Sequence, residues 1–376
     1  MKKNTIVMGL LSALSFASVG HLQAEVSDAQ VRNLENRVNV LEQKKGANAM
    51  VNPSGRPQVR DGADIFFTAD WLIWQAHENG LGYTVKGDAD HSTSSALYNS
   101  SVKNMHFDWD FGFRVGLGWN TPHDGWDVTT NWTWFRTKAH DSHAVDGDKI
   151  LRPTFNYSPA EGTVADPIIG YLHTNSQLHL HLNLIDLELG REFFVSKWVT
   201  LRPFIGLRNG WVHQKLVTTF THAKSAGAQT GTASKLVNNF WGIGPKAGLN
   251  TQWGLGYGFS LIGNANCSLL YGFFHLENRQ DKLFENGDVG VNVNNRDSVR
   301  VGRAIGELAL GLRWDTMFAD DRCHFGIQGG WENLMLFGFN QFKHFIGTTD
   351  RNAGSFVANQ GDLTFQGWTL SARLDF

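Results

Sequence analysis

Long hydrophobic runs, cysteine and charge are scarce in this sequence, and each scarcity excludes a class of protein. Beyond the first 24 residues there is no stretch of about 20 apolar residues, which a membrane-spanning helix requires. The two cysteines, Cys267 and Cys323, are too few for a disulfide framework, although they could form one bond in an oxidising compartment or between subunits. The formal net charge of -2 argues against a nucleic-acid partner, because that partner would need a basic face.

The N-terminus has the layout of a secretory signal peptide. Two lysines follow Met1, residues 6–19 are mostly apolar, and small residues come next. The pattern predicts a signal peptide over residues 1–24, with cleavage after Ala24 and cleavage after Gly20 as an alternative. The competing interpretation is an uncleaved membrane anchor. The chain is therefore expected to be exported.

A short heptad pattern follows the predicted signal peptide. Apolar residues with 3-4-3 spacing and charged flanks predict a short periplasmic coiled-coil helix over residues 25–45, and the apolar positions are Val31, Leu34, Val38 and Leu41. Such a helix would hold a homo-oligomer, for example a trimer, together. The alternative is a single amphipathic helix that lies on another surface. Residues 46–63, with Pro53 and Pro57, are predicted to be a linker.

Glycine and aromatic residues are abundant, and from residue 64 onward the apolar residues alternate with polar ones or glycine. The sequence has 41 Gly, 14 Trp and 26 Phe. Alternation with a period of two is typical of β-strands, and we count about ten such runs. The number rises to twelve or more if 137–175 and 337–363 contain further strands. A phase change near Ile185 predicts a β-bulge, and Pro203 predicts an edge, bulge or seam in its strand.

The connections between these runs alternate in length. Those near 120–125, 192–197, 253–258 and 317–321 are short, whereas the long polar ones lie near 77–104, 137–175, 213–237, 275–299 and 337–363. Bacterial outer-membrane barrels have short periplasmic turns and long extracellular loops. Aromatic residues crowd the short turns, where an interfacial girdle is expected, which disfavours a secreted soluble β protein. The predicted fold is all-β and transmembrane: a closed antiparallel up-and-down β-barrel over residues 64–376, in the outer membrane of a Gram-negative bacterium.

The last predicted strand ends on an aromatic residue. Its apolar face includes Trp368, Leu370, Leu374 and Phe376, a pattern that resembles the signal by which outer-membrane barrels are passed to the barrel-assembly machinery. Closure predicts that this strand pairs with residues 65–74 and 322–336. The other expected partners are outer-membrane lipid and lipopolysaccharide.

Several strand segments carry a resemblance to a known family. Residues 109–118 (WDFGFRVGLG), 186–196 (DLELGREFFVS), 202–208 (RPFIGLR) and 240–245 (FWGIGP) are similar to the pore-forming outer-membrane proteins typified by the major outer membrane proteins of Legionella and Chlamydia. The resemblance spans residues 65 to 376, and the low cysteine content favours the Legionella-like branch. It implies a porin and brings no catalytic residue.

For a porin, the charged residues that face the lumen would set which solutes pass. The alternation predicts that eight charged residues point inward: Asp110, Arg114, Arg202, Arg208, Lys246, Glu307, Arg313 and Glu332. The alternative is that they pair with other charged groups and fill a small barrel, since only larger barrels leave an aqueous channel.

Other polar clusters have weaker chemical interpretations. His179 and His181 share one face of a strand and are expected to line the lumen in preference to binding a metal. The clusters 141–143 (DSH) and 77–78 (HE) suggest a hydrolase site at the outer rim, and 146–148 (DGD) resembles a fragment of a calcium loop.

The sequence therefore predicts a porin that admits small hydrophilic solutes and ions by passive diffusion, without catalytic activity, cofactor or metal. A structural or adhesive barrel with a closed lumen is the main alternative. A hydrolase with its site at the rim is the third hypothesis.

Overall fold

The computed structural model describes residues 52–89, 97–122, 124–146, 148–155, 170–224, 229–345, 356–358 and 361–376. The predicted signal peptide, the predicted helix with Val31, Leu34, Val38 and Leu41, and the start of the linker lie outside the described residues. Within these ranges, no helix has the length and apolar character to cross a membrane.

The described residues form β-strands that we number in chain order. They are β1 (Ile65–Glu78), β2 (Gly82–Ala89), β3 (Leu97–Asn104), β4 (Trp109–Asn120), β5 (Trp126–Ala144), β6 (Lys149–Pro153), β7 (Gly170–Arg191), β8 (Phe193–Phe194), β9 (Val199–Lys224), β10 (Gln229–Gly256), β11 (Phe259–Phe284), β12 (Val289–Phe318), β13 (Cys323–Leu336), β14 (Lys343–Phe345), β15 (Phe356–Ala358) and β16 (Leu363–Asp375).

Ten of these strands form a closed antiparallel ring within the described part of the chain. Its order is β1, β4, β5, β7, β9, β10, β11, β12, β13, β16. The ring closes because β16 pairs with β1 without interruption from Phe66↔Asp375 to Glu78↔Leu363, and with β13 on its other side. In a closed ring, the backbone N–H and C=O groups of every strand have a neighbouring strand to pair with, as the hydrocarbon of a membrane requires. The predicted closed barrel of about ten strands is confirmed, and so are the predicted partners of the closing strand.

Three short strands in the extracellular connections extend the sheet of the barrel. β2 pairs with both β3 and β6, and β6 reaches the barrel at one position, Leu151↔Tyr171. β14 and β15 form a separate two-stranded sheet. These elements lie in regions that the sequence predicts as long connections.

Two predicted long loops are mostly strand instead. The pairing of β9 with β10 continues to Gly231↔Thr221, and that of β11 with β12 continues to Leu283↔Val289. The polar stretches 213–237 and 275–299 therefore extend the barrel beyond the membrane. Strand pairing uses backbone groups, so it does not need the lipid-facing apolar pattern from which the strand ends were predicted.

The predicted bulge near Ile185 is wrong. β7 pairs with β5 and β9 through this region without a register shift. What changes is the side on which the apolar residues lie: Leu182 and Leu184 are buried inside the barrel, whereas Ile185 and Leu187 are exposed on its outside. Where a strand extends beyond the lipid, its apolar residues lie on the inner face and no longer on the outer face. In the sequence, this change of face looks the same as one inserted residue.

The prediction for Pro203 is confirmed. β9 pairs with β7 as far as Phe204↔Gly190 and with β8 from Leu201↔Phe193 onward. Pro203 lies between these two pairings, where its missing N–H costs no ladder bond on that side.

A segment before β1 lies along the rim that carries the short turns. The Gly55 N–H donates to the Glu192 carbonyl at 3.1 Å, and the Arg60 N–H donates to the Asp321 carbonyl at 2.8 Å. Arg56 Nη1 donates to the Thr121 carbonyl at 2.8 Å. The described end of the predicted linker is thus held against three different turns.

Candidate functional site

The outside of the barrel carries an apolar belt. Large side chains that face outward and remain exposed include Phe67, Phe111, Leu117, Leu187, Leu207, Ile243, Leu269, Leu308, Leu310 and Leu370. Leu310 is 65% exposed, although it lies within a long paired strand. Exposed residues of this kind on every side of a closed barrel are stable only against lipid.

Aromatic residues border the belt on both sides. Near the short turns lie exposed Trp119, Trp198, Trp253, Tyr257, Phe318 and Phe376, and at the opposite border lie Trp109, Trp211, Trp241, Trp331 and Trp368. The Trp331 ring contacts the rings of Trp109 and Trp368 edge-on, at centroid distances of 6.0 and 5.5 Å. We call this second border the upper aromatic row. The two borders mark the membrane interfaces.

All eight charged residues that were predicted to point inward face the lumen. The strand alternation places Asp110, Arg114, Arg202, Arg208, Lys246, Glu307, Arg313 and Glu332 on the inner side. Seven of them make ion pairs or hydrogen bonds to other charged groups, Asp110 being the exception in the contacts described below. Their part in conduction stays a prediction.

The most buried of these charges is Arg208, which is 1% exposed. Its Nε and Nη2 donate to the two carboxylate oxygens of Asp186, each at 2.6 Å, and its Nη1 contacts Glu307. Lys246 Nζ bonds to Asp186 at 2.7 Å and to Glu188 at 2.8 Å. A bidentate arginine pair with further carboxylates satisfies buried charges that would be costly alone.

A second cluster faces the first across the lumen. Arg114 lies 2.8 Å from Glu332 and 3.2 Å from Asp70. Thr369 donates a hydrogen bond to Glu332 at 2.8 Å and accepts one from Trp74 Nε1 at 3.2 Å. The two clusters form a layer of alternating charge across the barrel, which we call the charged layer.

Further pairs lie on the periplasmic side of the charged layer. Arg202 bonds to Asp127 and Glu188, at 2.5 and 3.4 Å. Near the mouth, His324 bridges Asp315 at 2.9 Å and Asp375 at 2.7 Å. Asp315 also pairs with Arg313 at 2.8 Å, and Asp375 pairs with Arg373 at 2.7 Å.

On the extracellular side of the charged layer, the lumen is filled by apolar side chains. These buried residues, which we call the lumen core, include Leu72, Trp74, Ala76, Phe135, Leu178, Leu180, Leu182, Leu184, Val212, Leu216, Phe240, Leu270, Phe274, Phe339, Phe342 and Phe365. Rings from different parts of the chain are in contact: Phe135 on β5 and Phe365 on β16 at 5.4 Å, and Phe240 on β10 and Phe339 in the segment after β13 at 4.8 Å between centroids. The lumen core is thus packed from side to side.

A chain of hydrogen bonds crosses the lumen within this core. Asn238 Nδ2 donates to the Phe339 carbonyl at 2.8 Å and to Gln214 Oε1 at 2.5 Å, and Gln214 Nε2 donates to Glu78 Oε1 at 2.8 Å. The chain joins β10, β9 and β1 to the segment after β13. It fixes that segment inside the barrel mouth.

The periplasmic half of the lumen holds a polar cavity of about 260 Å³. Its lining includes Arg114, Lys246, Glu307, Gln328 and Glu332. We call it the vestibule. A cavity of this size holds several waters or a small hydrophilic solute.

Sequence reasoning missed most of the anionic partners in the lumen. Asp186 and Glu188 follow the position of the supposed bulge, so the alternation did not assign them a side. Asp70 and Asp127 also face inward and were not selected. An uninterrupted period of two along β7 would have found the first pair.

The expectation for His179 and His181 is wrong, because both face the outside. The leucines between which they alternate, such as Leu180 and Leu182, are fully buried in the lumen core. His181 Nε2 accepts a hydrogen bond from Arg136 Nε at 2.6 Å. In the described part of the chain, no group of three His, Cys, Asp or Glu side chains has the arrangement of a metal site.

Within residues 141–143, Asp141, Ser142 and His143 do not form a nucleophile-base pair. His143 Nε2 lies 3.6 Å from Asp141 Oδ2, and the His143 ring stacks on Tyr83. Ser142 alternates with these two residues along β5 and therefore points to the opposite side. Cys267 and Cys323 are both free thiols in this structure.

Glu78 lies beyond the upper aromatic row, outside the membrane-spanning part of β1, and is buried. Burial raises the pKa of Glu78 to about 8. Between about pH 4.5, the ordinary pKa of a glutamate, and about pH 8, the folded state keeps the proton on Glu78 while the unfolded chain releases it. Stability is therefore expected to fall as the pH rises from about 4.5 to about 8, and to be insensitive to this group above that.

Glu78→Gln should remove this part of the pH dependence. The measurement is the unfolding midpoint in detergent micelles between pH 5 and 9, with Glu285→Gln, an exposed glutamate, as the matched control. Equal pH profiles for the wild type and Glu78→Gln would contradict the assignment.

The residues of the predicted assembly signal face lipid. Trp368, Leu370, Leu374 and Phe376 are between 37% and 58% exposed on the outer surface. The backbone of Phe376 pairs with Ile65 through hydrogen bonds of 3.0 and 3.2 Å. Recognition of these residues by the assembly machinery stays a prediction.

A closed β-barrel with an apolar belt between two aromatic borders is an integral protein of the Gram-negative outer membrane. The profile of the family described as "Legionella pneumophila major outer membrane protein precursor" matches residues 56–376. The chain belongs to this family, as the sequence resemblance indicated.

Comparison with individual proteins adds little. No curated protein matches the sequence. Among solved structures, the Escherichia coli outer membrane protease OmpT is 11% identical with a TM-score of 0.39, and the match covers 85% of this chain and 99% of that one. A major outer membrane protein from Thermus thermophilus is 10% identical with a TM-score of 0.28, covering 83% and 99%. The Pseudomonas putida toluene transporter TodX is 10% identical with a TM-score of 0.28, covering 87% and 93%. At these scores, the similarities say nothing about the activity of this chain.

Proposed function

We propose that the protein is a structural outer-membrane barrel with a closed lumen, without catalytic activity, whose extracellular sheet and loops contact the surroundings of the cell. The single observation that carries this proposal is the succession of the charged layer and the lumen core across the whole lumen. Barrels of about eight strands are filled by side chains or hold one small ligand, whereas porins of about 16–18 strands leave an aqueous channel, and a ring of ten strands lies near the small end of this range.

The energetics favour a closed state. Opening a water-filled path would hydrate the lumen core, and each large aliphatic or aromatic side chain returned to water costs roughly 1.5–3 kcal/mol. It would also part the pairs around Arg208 and Arg114. A path of this kind requires rearrangement of several walls at once.

A porin is the second candidate, and the vestibule is the observation that favours it. Its lining is polar and carries both charge signs, as expected for a conduit for small hydrophilic solutes and ions. In that case the lumen core would have to move, and Arg202 and Arg208 would influence ion selectivity.

Planar-bilayer recording of the refolded protein distinguishes the two candidates. We expect no discrete conductance steps from the wild-type barrel, because the lumen core leaves no hydrated path. A large porin added to the same bilayer serves as the positive control. Regular conductance steps from the wild type would overturn the closed-lumen proposal and support the porin.

A further inference from the structure

A group of basic side chains lies on the outer face of three neighbouring strands, directly above the upper aromatic row. Its members are Arg136, Lys138, His179, His181, His213 and Lys215, on β5, β7 and β9. We call them the outer basic patch. Their sequence neighbours, such as Thr137, Leu180 and Gln214, are buried inside the barrel, so the patch residues face out.

The strand register aligns the patch in two rows. Arg136 pairs with His181, which pairs with His213, and Lys138 pairs with His179, which pairs with Lys215. Arg136 and His181 are hydrogen-bonded, and the rings of His181 and His213 lie 5.7 Å apart. Three strands at a spacing of about 4.8 Å and two rows separated by about 6.6 Å make a compact surface of positive charge.

The height of the patch matches the lipid headgroups. The next outward row toward the membrane contains Trp134 and Trp211, and Trp211 pairs with Trp241. Tryptophan rows of this kind mark the membrane interface. The lower row of the patch, Arg136, His181 and His213, is the next row of outward residues on the extracellular side of these tryptophans. The phosphates of a lipid monolayer lie at this level.

The charges of the patch lack anionic partners within the protein. No described carboxylate lies within ion-pair distance of Arg136, Lys138 or Lys215. Two other cations of the outer face are paired, since Arg296 lies 3.3 Å from Glu277 and Arg279 lies 3.0 Å from Asp281, whereas Arg300 lies over the Phe273 ring at 4.9 Å from its centroid.

The patch is also confined to one side of the barrel. At the same height, the described outward residues of β1, β13 and β16 include Gln75, His77, Asn333 and Gln366, and none is Lys or Arg.

We propose that the outer basic patch binds the phosphate groups of an anionic glycolipid in the outer leaflet, of the diphosphoryl lipid A type. Arg136, Lys138 and Lys215 donate charge-assisted hydrogen bonds to the phosphates, and the ring N–H groups of His179 and His181 add neutral ones, whereas His213 Nδ1 already donates to Asn239 Oδ1. The acyl chains of the same lipid pack on the apolar belt below. The proposal does not depend on whether the lumen conducts.

The test measures lipid retention by native mass spectrometry of the full-length protein in detergent. The probes are diphosphoryl lipid A, the same lipid without its phosphates, and inorganic phosphate. The patch variant is Arg136→Gln with Lys138→Gln and Lys215→Gln. The control variant is Arg279→Gln with Arg296→Gln and Arg300→Gln, which changes the net charge equally on the same outer face.

We expect the wild type to bind diphosphoryl lipid A on the order of tenfold or more tightly than the patch variant does, because each lysine or arginine near a lipid surface contributes measurably to anionic attraction. The control variant should bind like the wild type. The dephosphorylated lipid should bind the wild type and the patch variant alike, and inorganic phosphate should not displace the bound lipid.

Four results would overturn the proposal: an unaffected patch variant, an equal loss in the control variant, no preference for the phosphorylated lipid, or displacement by inorganic phosphate, which would indicate a site for the free ion. Circular dichroism and heat-modifiable gel mobility establish that each variant is folded. Lys138→Gln alone, at an exposed position, gives a second, milder variant that should weaken binding in the same direction.

Discussion

A cysteine introduced by Leu182→Cys in the lumen core is expected to react at least about a hundredfold more slowly with a charged, water-soluble thiol reagent than one introduced by Gln328→Cys, because reaction in the core first requires local opening of a packed region. Leu182 is fully buried among apolar side chains, whereas Gln328 lines the vestibule. Both residues face the lumen, so in an open porin both would be labelled quickly. The measurement is the labelling rate in proteoliposomes, in a background in which Cys267 and Cys323 are replaced by serine.

The same experiment has an internal control. Leu187→Cys lies on β7 as Leu182 does but faces lipid. Lipid should shield this cysteine from the charged reagent, whereas a membrane-soluble maleimide should label it. Rapid labelling of Leu182→Cys by the charged reagent would show that water reaches the core, and the closed-lumen proposal would then fail.

Arg208→Leu is expected to lower the unfolding free energy by roughly 3–5 kcal/mol, because it leaves the carboxylates of Asp186 and Glu307 buried without their main partner. Lys246 remains beside Asp186 and compensates only in part. The measurement is the urea unfolding midpoint of the barrel in lipid vesicles. A loss of this size is a large fraction of the stability of a typical domain.

Two further variants separate the buried pair from a general effect of lost charge. Arg60→Leu removes a cation whose side chain is 74% exposed and should change the unfolding free energy little. Arg208→Leu combined with Glu307→Gln should recover part of the loss, because it removes one of the stranded charges. If Arg208→Leu and Arg60→Leu were equally stable, the charged layer would not stabilise the fold as described.

The sequence pattern predicted the barrel well because lipid enforces it. Leu308, Leu310 and Leu312 alternate with smaller or polar residues, as expected of a strand with one face in lipid, and the same period recurs over many segments between short and long connections. The same pattern predicted the inward direction of Arg114, Arg202, Arg208 and the other charged candidates. Within the belt that faces lipid, the direction of a side chain follows from this alternation.

The predicted side-chain directions were wrong in the part of β7 that extends beyond the membrane. In β7, Leu178, Leu180, Leu182 and Leu184 have the spacing of a lipid-facing surface, and the sequence alone assigned His179 and His181 to the lumen. Periodicity reports that one face is apolar and cannot say whether that face meets lipid or a packed interior. The ion pairs inside the barrel show which face of β7 points inward. Asp186 and Glu188 share a face with these leucines and pair with Arg208, Lys246 and Arg202 in the lumen.

The sequence by itself thus determined the class of fold, the side with the short turns and the closing pair, because each depends on local alternation and on the need to pair every backbone group in lipid, and it left the number of strands between about ten and twelve or more. The tertiary structure decided whether the lumen is filled, which charges are paired and which surface keeps its charge unpaired. These depend on residues far apart in the chain, such as Trp74, Phe135 and Phe365, whose contacts exist only once the barrel has closed.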